Sequence, residues 1–182
     1  PVSRTRHRRG SPLAEAPSSE PLLETPLAAA HRALGARMVP FAGYAMPVQY
    51  PSGIIAEHKW TREHAGLFDV SHMGPAVLQL TARSGNSDAA HVAVAAIVEP
   101  LVCGDIRGLK PGQLRYTLLL NEAGGILDDL MIGRPADPSA AGSLYIVVNA
   151  DTKTADFARL TAAAGARAIL MRLDDRGLIA LQ

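Results

Sequence analysis

The chain has 182 residues, of which 48% are hydrophobic and 19% charged, which suits one globular domain or parts of two and argues against disorder throughout. A formal net charge of +1 gives no global field that would favour nucleic acid, and the longest apolar run, broken by Glu99 and Pro100, is shorter than the roughly 20 residues of a membrane span. A single cysteine, Cys103, excludes an intramolecular disulfide framework and a multi-cysteine zinc site.

The two ends of the chain are unusual in composition. Residues 1–21 are rich in arginine and serine and contain no acidic residue before Glu15. This composition fits either a mitochondrial presequence remnant or a plain disordered tail, and both interpretations stay open. At the other end an apolar, strand-like run stops at Gln182. We expect from this that the sequence is truncated.

Two helices are predicted in the first third of the chain. The first has Thr25 as its N-cap and Gly35 just past its end. The second is capped by Ser52 and stopped by Gly66, and its exposed face is charged. Between them, residues 36–53 carry several prolines and aromatic side chains, and we expect a packed but loop-rich segment.

The periodicity changes at residue 75. A strand there is followed by a third predicted helix, which begins at Ser87 or Asp88. A fourth predicted helix begins at Asp151 or Thr152. The turn NEAGG predicts an antiparallel hairpin. The expected strands are PAVLQLTA, LRYTLLL, ILDDLMIGRP, SLYIVVNA, ARAILMRL and LIALQ. This order predicts an α+β fold with mostly antiparallel sheets and flanking helices.

Two adjacent aspartates interrupt one of these apolar strands, GGILDDLMI. Because side chains alternate along a strand, Asp128 shares a face with Leu130 and Ile132, whereas Asp129 lies on the other face. The two carboxylates are therefore not predicted to form a coupled acid–base pair. A carboxylate on a buried face must be hydrogen-bonded, charge-paired or raised in pKa, which makes it a functional candidate. The alternative is an aspartate that fastens a loop or caps a helix.

Other reactive side chains give weaker signals. His58 and His64 are six residues apart, which is not the spacing that places two imidazoles on one helix face, so no metal site is predicted. Ser71 and His72 are adjacent in sequence, but a serine triad is assembled through space. Cys103 reads as an ordinary buried thiol rather than a nucleophile.

Four blocks of the sequence together resemble a known family. They are TPLAAAHRALGARMVPFAGYAMPVQY, EHKWTREHAGLFDVSHMG, RYTLLLNEAGGILDDLMI and LYIVVNAD. In this order and at these separations they resemble the aminomethyltransferases, the T-proteins of the glycine cleavage system, from about residue 22 to residue 182. The resemblance implies the folate-binding aminomethyltransferase fold, here incomplete. The implied divisions are a first part of a discontinuous domain 1 at 22–74, a ferredoxin-like domain 2 at 75–165 and a return to domain 1 at 166–182.

The resemblance also implies an activity. The family transfers the aminomethyl group carried by the lipoyl arm of H-protein to tetrahydrofolate, which gives 5,10-methylenetetrahydrofolate and ammonia. It implies tetrahydrofolate as substrate and H-protein as partner, whereas the histidine spacing, charge and hydropathy above predict no metal and neither nucleic acid nor membrane as a partner. Asp128 matches the family's catalytic aspartate, with Asp129 more structural. The remaining residues expected around the folate are Met73, Tyr116, Leu130, Ile132 and Asn149, and the main chain near Leu130 and the Asn149 side chain are the expected pterin contacts.

The chain departs from the family in length. The family's later folate-binding glutamate and arginine and its third domain lie beyond Gln182, so we expect little activity from this chain alone. Two alternatives remain open: the folate domain of a dimethylglycine or sarcosine oxidising flavoenzyme, and a folate-binding scaffold of the kind used in iron–sulfur assembly. The expected location is the mitochondrial matrix, with a bacterial cytoplasm as the alternative.

Overall fold

The computed structural model describes residues 21–82 and 86–182. The expectations for the N-terminal tail therefore concern residues outside the described ones. In chain order the helices are α1 (Ala28–Ala33), α2 (Ile54–Glu63), α3 (Ser87–Val98) and α4 (Lys153–Ala164). The strands are β1 (Leu23–Glu24), β2 (Arg37–Phe41), β3 (Tyr44–Gln49), β4 (Leu67–Asp69), β5 (Gly74–Leu80), β6 (Leu114–Leu120), β7 (Ile126–Gly133), β8 (Ser143–Val148), β9 (Ala168–Arg172) and β10 (Ile179–Leu181). Within the described ranges, no helix is long and apolar enough to cross a lipid bilayer.

A five-stranded sheet forms the larger part of the structure. Its strand order is β6-β7-β8-β5-β9, and its four ladders are antiparallel. Without the edge strand β6, the order is that of a ferredoxin-like unit, with α3 and α4 packed on one face. The predicted α+β fold with mostly antiparallel sheets is confirmed, as is the hairpin between β6 and β7.

The hydrophobic core lies between this sheet and the helices α3 and α4. Alternate side chains of each strand point to the helices, which is the pattern that an antiparallel sheet covered on one face requires. The largest fully buried side chains of this core are Leu78, Val94, Ile97, Val98, Ile106, Leu119, Ile132, Leu144, Ile146, Val148 and Leu160.

The segment expected to be loop-rich, residues 36–53, contains a β-hairpin instead. Strands β2 and β3 pair antiparallel, and β1 adds to the other edge of β3 in parallel. The turn between them has positive φ at Ala42 (48°) and at Gly43 (79°), the combination of a type I′ hairpin turn. The prediction was wrong because alanine is a rare first residue of such a turn, and because Pro40 and Pro47 argue against a regular strand.

The helix boundaries also correct two predicted caps. Helix α1 begins at Ala28 without a side-chain cap, and the Thr25 hydroxyl donates to Asp69 instead. Helix α2 follows Gly53 rather than being capped by Ser52. Helix α3 begins at Ser87 as expected, and the side chain of the preceding residue, Asn86, accepts from the Ala89 amide.

Strand β4 pairs with β10, so the last described residues lie beside the segment that leads into β5. Ser71 fastens this junction because its hydroxyl accepts from the Leu178 amide at 2.9 Å. The loop between β4 and β5 carries His72 and Met73. Its two ends are thus held by a small sheet on one side and the large sheet on the other.

Candidate functional site

A register shift at the start of β7 positions the paired aspartates. Leu119 of β6 is opposite Asp128, whereas the next residue, Leu120, is opposite Ile126, so Leu127 has no partner on β6. Such a bulge bends a strand and re-aims its side chains. Asp128 is still in regular register with β6, so it shares the helix-covered face with Leu130 and Ile132, and it lies next to the bulge where the apolar core gives way to polar contacts.

Asp128 is held by donors from two elements. The Thr152 hydroxyl at the start of α4 donates to Asp128 Oδ2 at 2.5 Å, and Asn149 Nδ2, just after β8, donates to Asp128 Oδ1 at 3.0 Å. Burial raises the pKa of Asp128, but these hydrogen bonds and one from the Asp129 amide outweigh it and lower the pKa below its ordinary value. Asp128 is therefore an ionised carboxylate at neutral pH.

The Asn149 amide connects the two aspartates although their side chains leave opposite faces of β7. Besides Asp128, Asn149 Nδ2 contacts the Asp129 carbonyl oxygen at 3.0 Å and Asp129 Oδ1 at 3.1 Å. Asp129 also accepts from the Tyr116 hydroxyl on β6. Each carboxylate thus has donors of its own, which agrees with the prediction that the adjacent pair is not an acid–base couple.

The carboxyl group that is coupled to Asp128 comes from α4. Asp156 is 4% exposed and is within hydrogen-bonding reach of Asp128 and of the Thr152 hydroxyl. Burial and the neighbouring Asp128 charge raise the pKa of Asp156 to about 6. The sequence analysis missed this residue, although a signal was available. Buried positions of α4 recur at helical spacing, and the acidic residue falls among them, in the set Lys153, Asp156, Phe157, Leu160 and Ala164.

A cavity of about 270 Å³ opens beside this cluster. Its lining combines the β2–β3 turn, the loop before β5 and the segment between β8 and α4: Phe41, Ala42, His72, Met73, Asn149, Ala150 and Asp151. Asn149 forms part of the wall and bonds Asp128 behind it. The volume is near the lower end of the roughly 300–1,000 Å³ of small-molecule sites.

His72 contributes a half-buried imidazole to the same cavity. Its ring meets the edge of Phe41 at a centroid distance of 5.5 Å and that of Tyr44 at 6.3 Å. Burial, helped by the positive charge of Lys153, lowers the pKa of His72 despite the opposing charge of Asp69. Its Nδ1 atom is buried without a hydrogen-bond partner among the described residues. The cavity therefore has an aromatic wall that is neutral at physiological pH.

The predicted folate contacts fall into three settings. Met73 and Asn149 line the cavity. Tyr116 is 69% exposed on the open face of the sheet and contacts Asp129. Leu130 and Ile132 are only 2% and 0% exposed within the core, so a contact between either of them and a ligand would have to use the main chain.

Two of the weaker candidates can also be located. The Ser71 hydroxyl is engaged by Leu178, which agrees with the expectation that Ser71 and His72 form no nucleophilic pair. Cys103 was expected to be buried, and this was wrong. It is exposed because Val102 takes the inward position in an isolated bridge to Leu119. A contact with the Thr117 hydroxyl lowers the pKa of its thiol.

Comparison with known proteins gives the same family at the level of sequence and of structure. A family model described as the GCVT N-terminal domain matches residues 27–182. The mitochondrial aminomethyltransferase of Gallus gallus is 47% identical over 138 residues, covering 76% of this chain and 31% of that protein. The aminomethyltransferase of Deinococcus deserti is 42% identical over 163 residues, covering 88% of this chain and 41% of that protein.

A solved structure extends the comparison. The glycine cleavage system aminomethyltransferase T of Bartonella henselae matches with a TM-score of 0.75 and 38% identity, covering 89% of this chain and 41% of that one. The chain thus spans less than half the length of these relatives. It belongs to the GCVT N-terminal domain family, the family that these aminomethyltransferases represent.

Proposed function

We propose that a protein containing this chain is an aminomethyltransferase of glycine cleavage. It passes the methylene carbon of the aminomethyl group from the lipoyl arm of H-protein to tetrahydrofolate, which yields 5,10-methylenetetrahydrofolate, ammonia and the reduced lipoyl arm. The names of the relatives support this reading over a flavoenzyme folate domain or an iron–sulfur assembly scaffold. Tetrahydrofolate is the substrate, and H-protein is the protein partner.

The single observation that carries the proposal is the ionised Asp128, which lies behind the cavity wall and is bonded to the wall residue Asn149. Thr152 and Asn149 fix both of its carboxylate oxygens and keep its pKa low. During aminomethyl transfer, positive charge develops on the carbon as ammonia leaves. A preorganised carboxylate stabilises that charge without having to reorganise. Asp128 acts in this proposal as an electrostatic stabiliser and substrate anchor, and it need not be the strongest base in the site.

In the proposal, the residues that line the cavity form part of the tetrahydrofolate-binding site. In the proposal its pterin lies against Met73 and the Asn149 amide, while the main chain near Leu130 and Ile132 and the side chain of Tyr116 complete the contacts. Aromatic and apolar walls with a few fixed polar groups are typical of small-molecule sites.

Replacement of Asp128 by asparagine tests the proposal. The variant keeps the shape of the side chain and removes its charge, so in a polypeptide of the relatives' length that contains this chain we expect aminomethyl transfer to fall about a hundredfold or more. The assay measures 5,10-methylenetetrahydrofolate formed from aminomethylated H-protein. Asp137→Asn, in the β7–β8 connection at the other end of the strand, is the matched control. Near-normal turnover of Asp128→Asn would remove the assigned role.

The proposed location is the mitochondrial matrix. The arginine-rich composition before Glu15 supports it, as do the mitochondrial relatives of Gallus gallus and Dictyostelium discoideum. The relatives also include bacterial proteins, from Leptospira interrogans and Deinococcus deserti. A reporter fused to the natural N-terminus discriminates between the two, because a purely cytosolic signal would contradict the matrix assignment.

A further inference from the structure

Asp156 is a buried acid with an incomplete set of partners. Its residue is 4% exposed, and its Oδ2 atom has no hydrogen-bond donor among the described residues. An ionised oxygen in such a position is costly because it is shielded from solvent and no protein donor compensates its charge. Protonation removes that cost and turns the group into a donor.

The acceptor for such a donor is Asp128, the carboxylate that the Thr152 hydroxyl already contacts. The main-chain amide of Asp156 donates to the Thr152 carbonyl oxygen at 3.0 Å, which holds these two residues in the first turn of α4, and the Thr152 hydroxyl joins that turn to Asp128 on β7. When two carboxyl groups interact, the charge of one raises the pKa of the other, and they titrate as a pair.

We infer that Asp156 is a positioning residue for Asp128. While Asp156 is protonated, it holds Asp128 through a shared proton. When that proton leaves, Asp156 adds a second negative charge beside Asp128. The inference deepens the proposed function and rests on it only where Asp128 is given a role in transfer.

Other charged groups near α4 are engaged elsewhere. On α4 itself, Lys153 donates to the Tyr44 hydroxyl and Arg159 pairs with Glu122. The elements packed against α4 are α3 and β9, and their charged or titratable groups also have partners of their own. Asp88 pairs with Arg134, His91 contacts the Ile106 carbonyl oxygen, and Arg172 pairs with Asp174 and lies over the Phe157 ring. Asp128 is therefore the group whose charge Asp156 meets.

The coupling predicts a specific pH dependence. The pKa of Asp156 is about 6, so the pair carries one negative charge below that pH and two above it. Two charges stabilise a developing cation better than one, so transfer should increase as pH rises through about 6.

The free energy of unfolding should change in the opposite direction and decrease as pH rises. A raised pKa in the folded state stabilises the protein at low pH, and this contribution is lost between 3.8 and about 6.

The first experiment needs no activity. Carboxyl-carbon NMR of the 182-residue chain, compared among wild type, Asp156→Asn and Asp128→Asn, should show a titration near pH 6 in the wild type alone. In Asp128→Asn the Asp156 signal should titrate at lower pH, because its charged neighbour is gone. Asp137→Asn should leave the step near pH 6 unchanged. An Asp156 signal that titrates like an ordinary aspartate, or that stays near pH 6 without the Asp128 charge, would overturn the inference.

The second experiment tests whether the pair Asp128 and Asp156 affects aminomethyl transfer. In a polypeptide of the relatives' length, Asp156→Asn keeps a donor toward Asp128 but cannot ionise. We expect kcat at pH 8 to fall about tenfold and the rise near pH 6 to disappear, with KM for tetrahydrofolate little changed. A purely structural role would lower activity without removing that rise, and would contradict the inference. If wild type transfers nothing while the NMR step near pH 6 is present, the proposed function fails and the coupling stands.

Discussion

Asp69 is the carboxylate whose removal should be most costly to the fold. Its side chain is 1% exposed and accepts three hydrogen bonds, from Thr25 Oγ1 at 2.8 Å, His31 Nε2 at 2.9 Å and the Ser71 amide at 2.9 Å. The far nitrogen of His31 contacts the Tyr50 hydroxyl at 2.7 Å. One carboxylate thus connects α1, the end of β3 and the loop that carries His72 and Met73.

Asp69→Ala would leave three donors without an acceptor. A buried donor left unsatisfied costs about 1–3 kcal/mol, and breaking a buried pair by removing one partner costs about 3–5 kcal/mol, so we expect a loss of about 3–5 kcal/mol in unfolding free energy. Asp69→Asn should cost only about 1 kcal/mol. The His31 ring can exchange tautomers and then accept from the new amide while it donates to Tyr50.

Urea-induced unfolding of the 182-residue chain, followed by circular dichroism, measures both losses, provided that the slope with denaturant stays constant. Burial raises the pKa of Asp69, but its hydrogen bonds have the larger effect, so the pKa in the folded state lies below the unfolded value of 3.8. The stability that Asp69 contributes is therefore fully present above pH 3.8 and is lost as pH falls through the lower folded pKa. Asp137→Asn serves as the control. A loss below about 1 kcal/mol in Asp69→Ala would refute the reasoning that this network supports the loop.

Two further predictions concern side-chain packing and exposure. Gly74→Ala should cost about 1–3 kcal/mol, because the added Cβ would lie 2.7 Å from Val148 Cγ2 and 2.9 Å from Phe157 Cζ. Gly177→Ala, whose Cβ would meet Ser71 Oγ at an ordinary 3.6 Å, is the control, and equal thermal shifts in both variants would contradict this. Cys103 should react with iodoacetamide in the folded chain, and more slowly in Thr117→Val, which removes the hydroxyl that lowers its pKa. If Cys103 reacted with iodoacetamide only after denaturant is added, the thiol would be buried in the folded chain and this prediction would be refuted.

The large sheet was predictable because its strands and helices have clear periodicity. Strands β5 to β9 alternate or form apolar runs of ordinary length, and the helix between β8 and β9 ends at Gly165 as expected. The β2–β3 hairpin was not predictable, since the φ of 48° at Ala42 depends on pairing between distant residues rather than on the local preference of alanine. The cap assigned to Thr25 failed for a related reason, because a buried carboxylate from β4 competed for its hydroxyl.

In the candidate site, too, some features could be predicted from the sequence and others could not. Asp128 could be found from sequence because a charge on an apolar strand face requires an explanation. Asp156 could have been found from the same argument applied to a helix, but its coupling to Asp128 depends on how α4 packs beneath β7. The exposure of Cys103 could not be predicted from α3, because the chain changes after Val98 to a 3₁₀ helix, Glu99–Leu101, and the periodicity of α3 no longer applies.

The position of Asp128 at the beginning of α4 explains how a carboxylate can stay ionised at the edge of an apolar core. The first turn of a helix carries unpaired amides and partial positive charge, both of which favour an anion. Thr152 and Asp156 belong to that turn, so one supplies a donor and the other a titratable neighbour. The same turn thus stabilises the Asp128 charge and lets pH adjust it. A change that shifts α4 should therefore alter the site even when Asp128 itself is untouched.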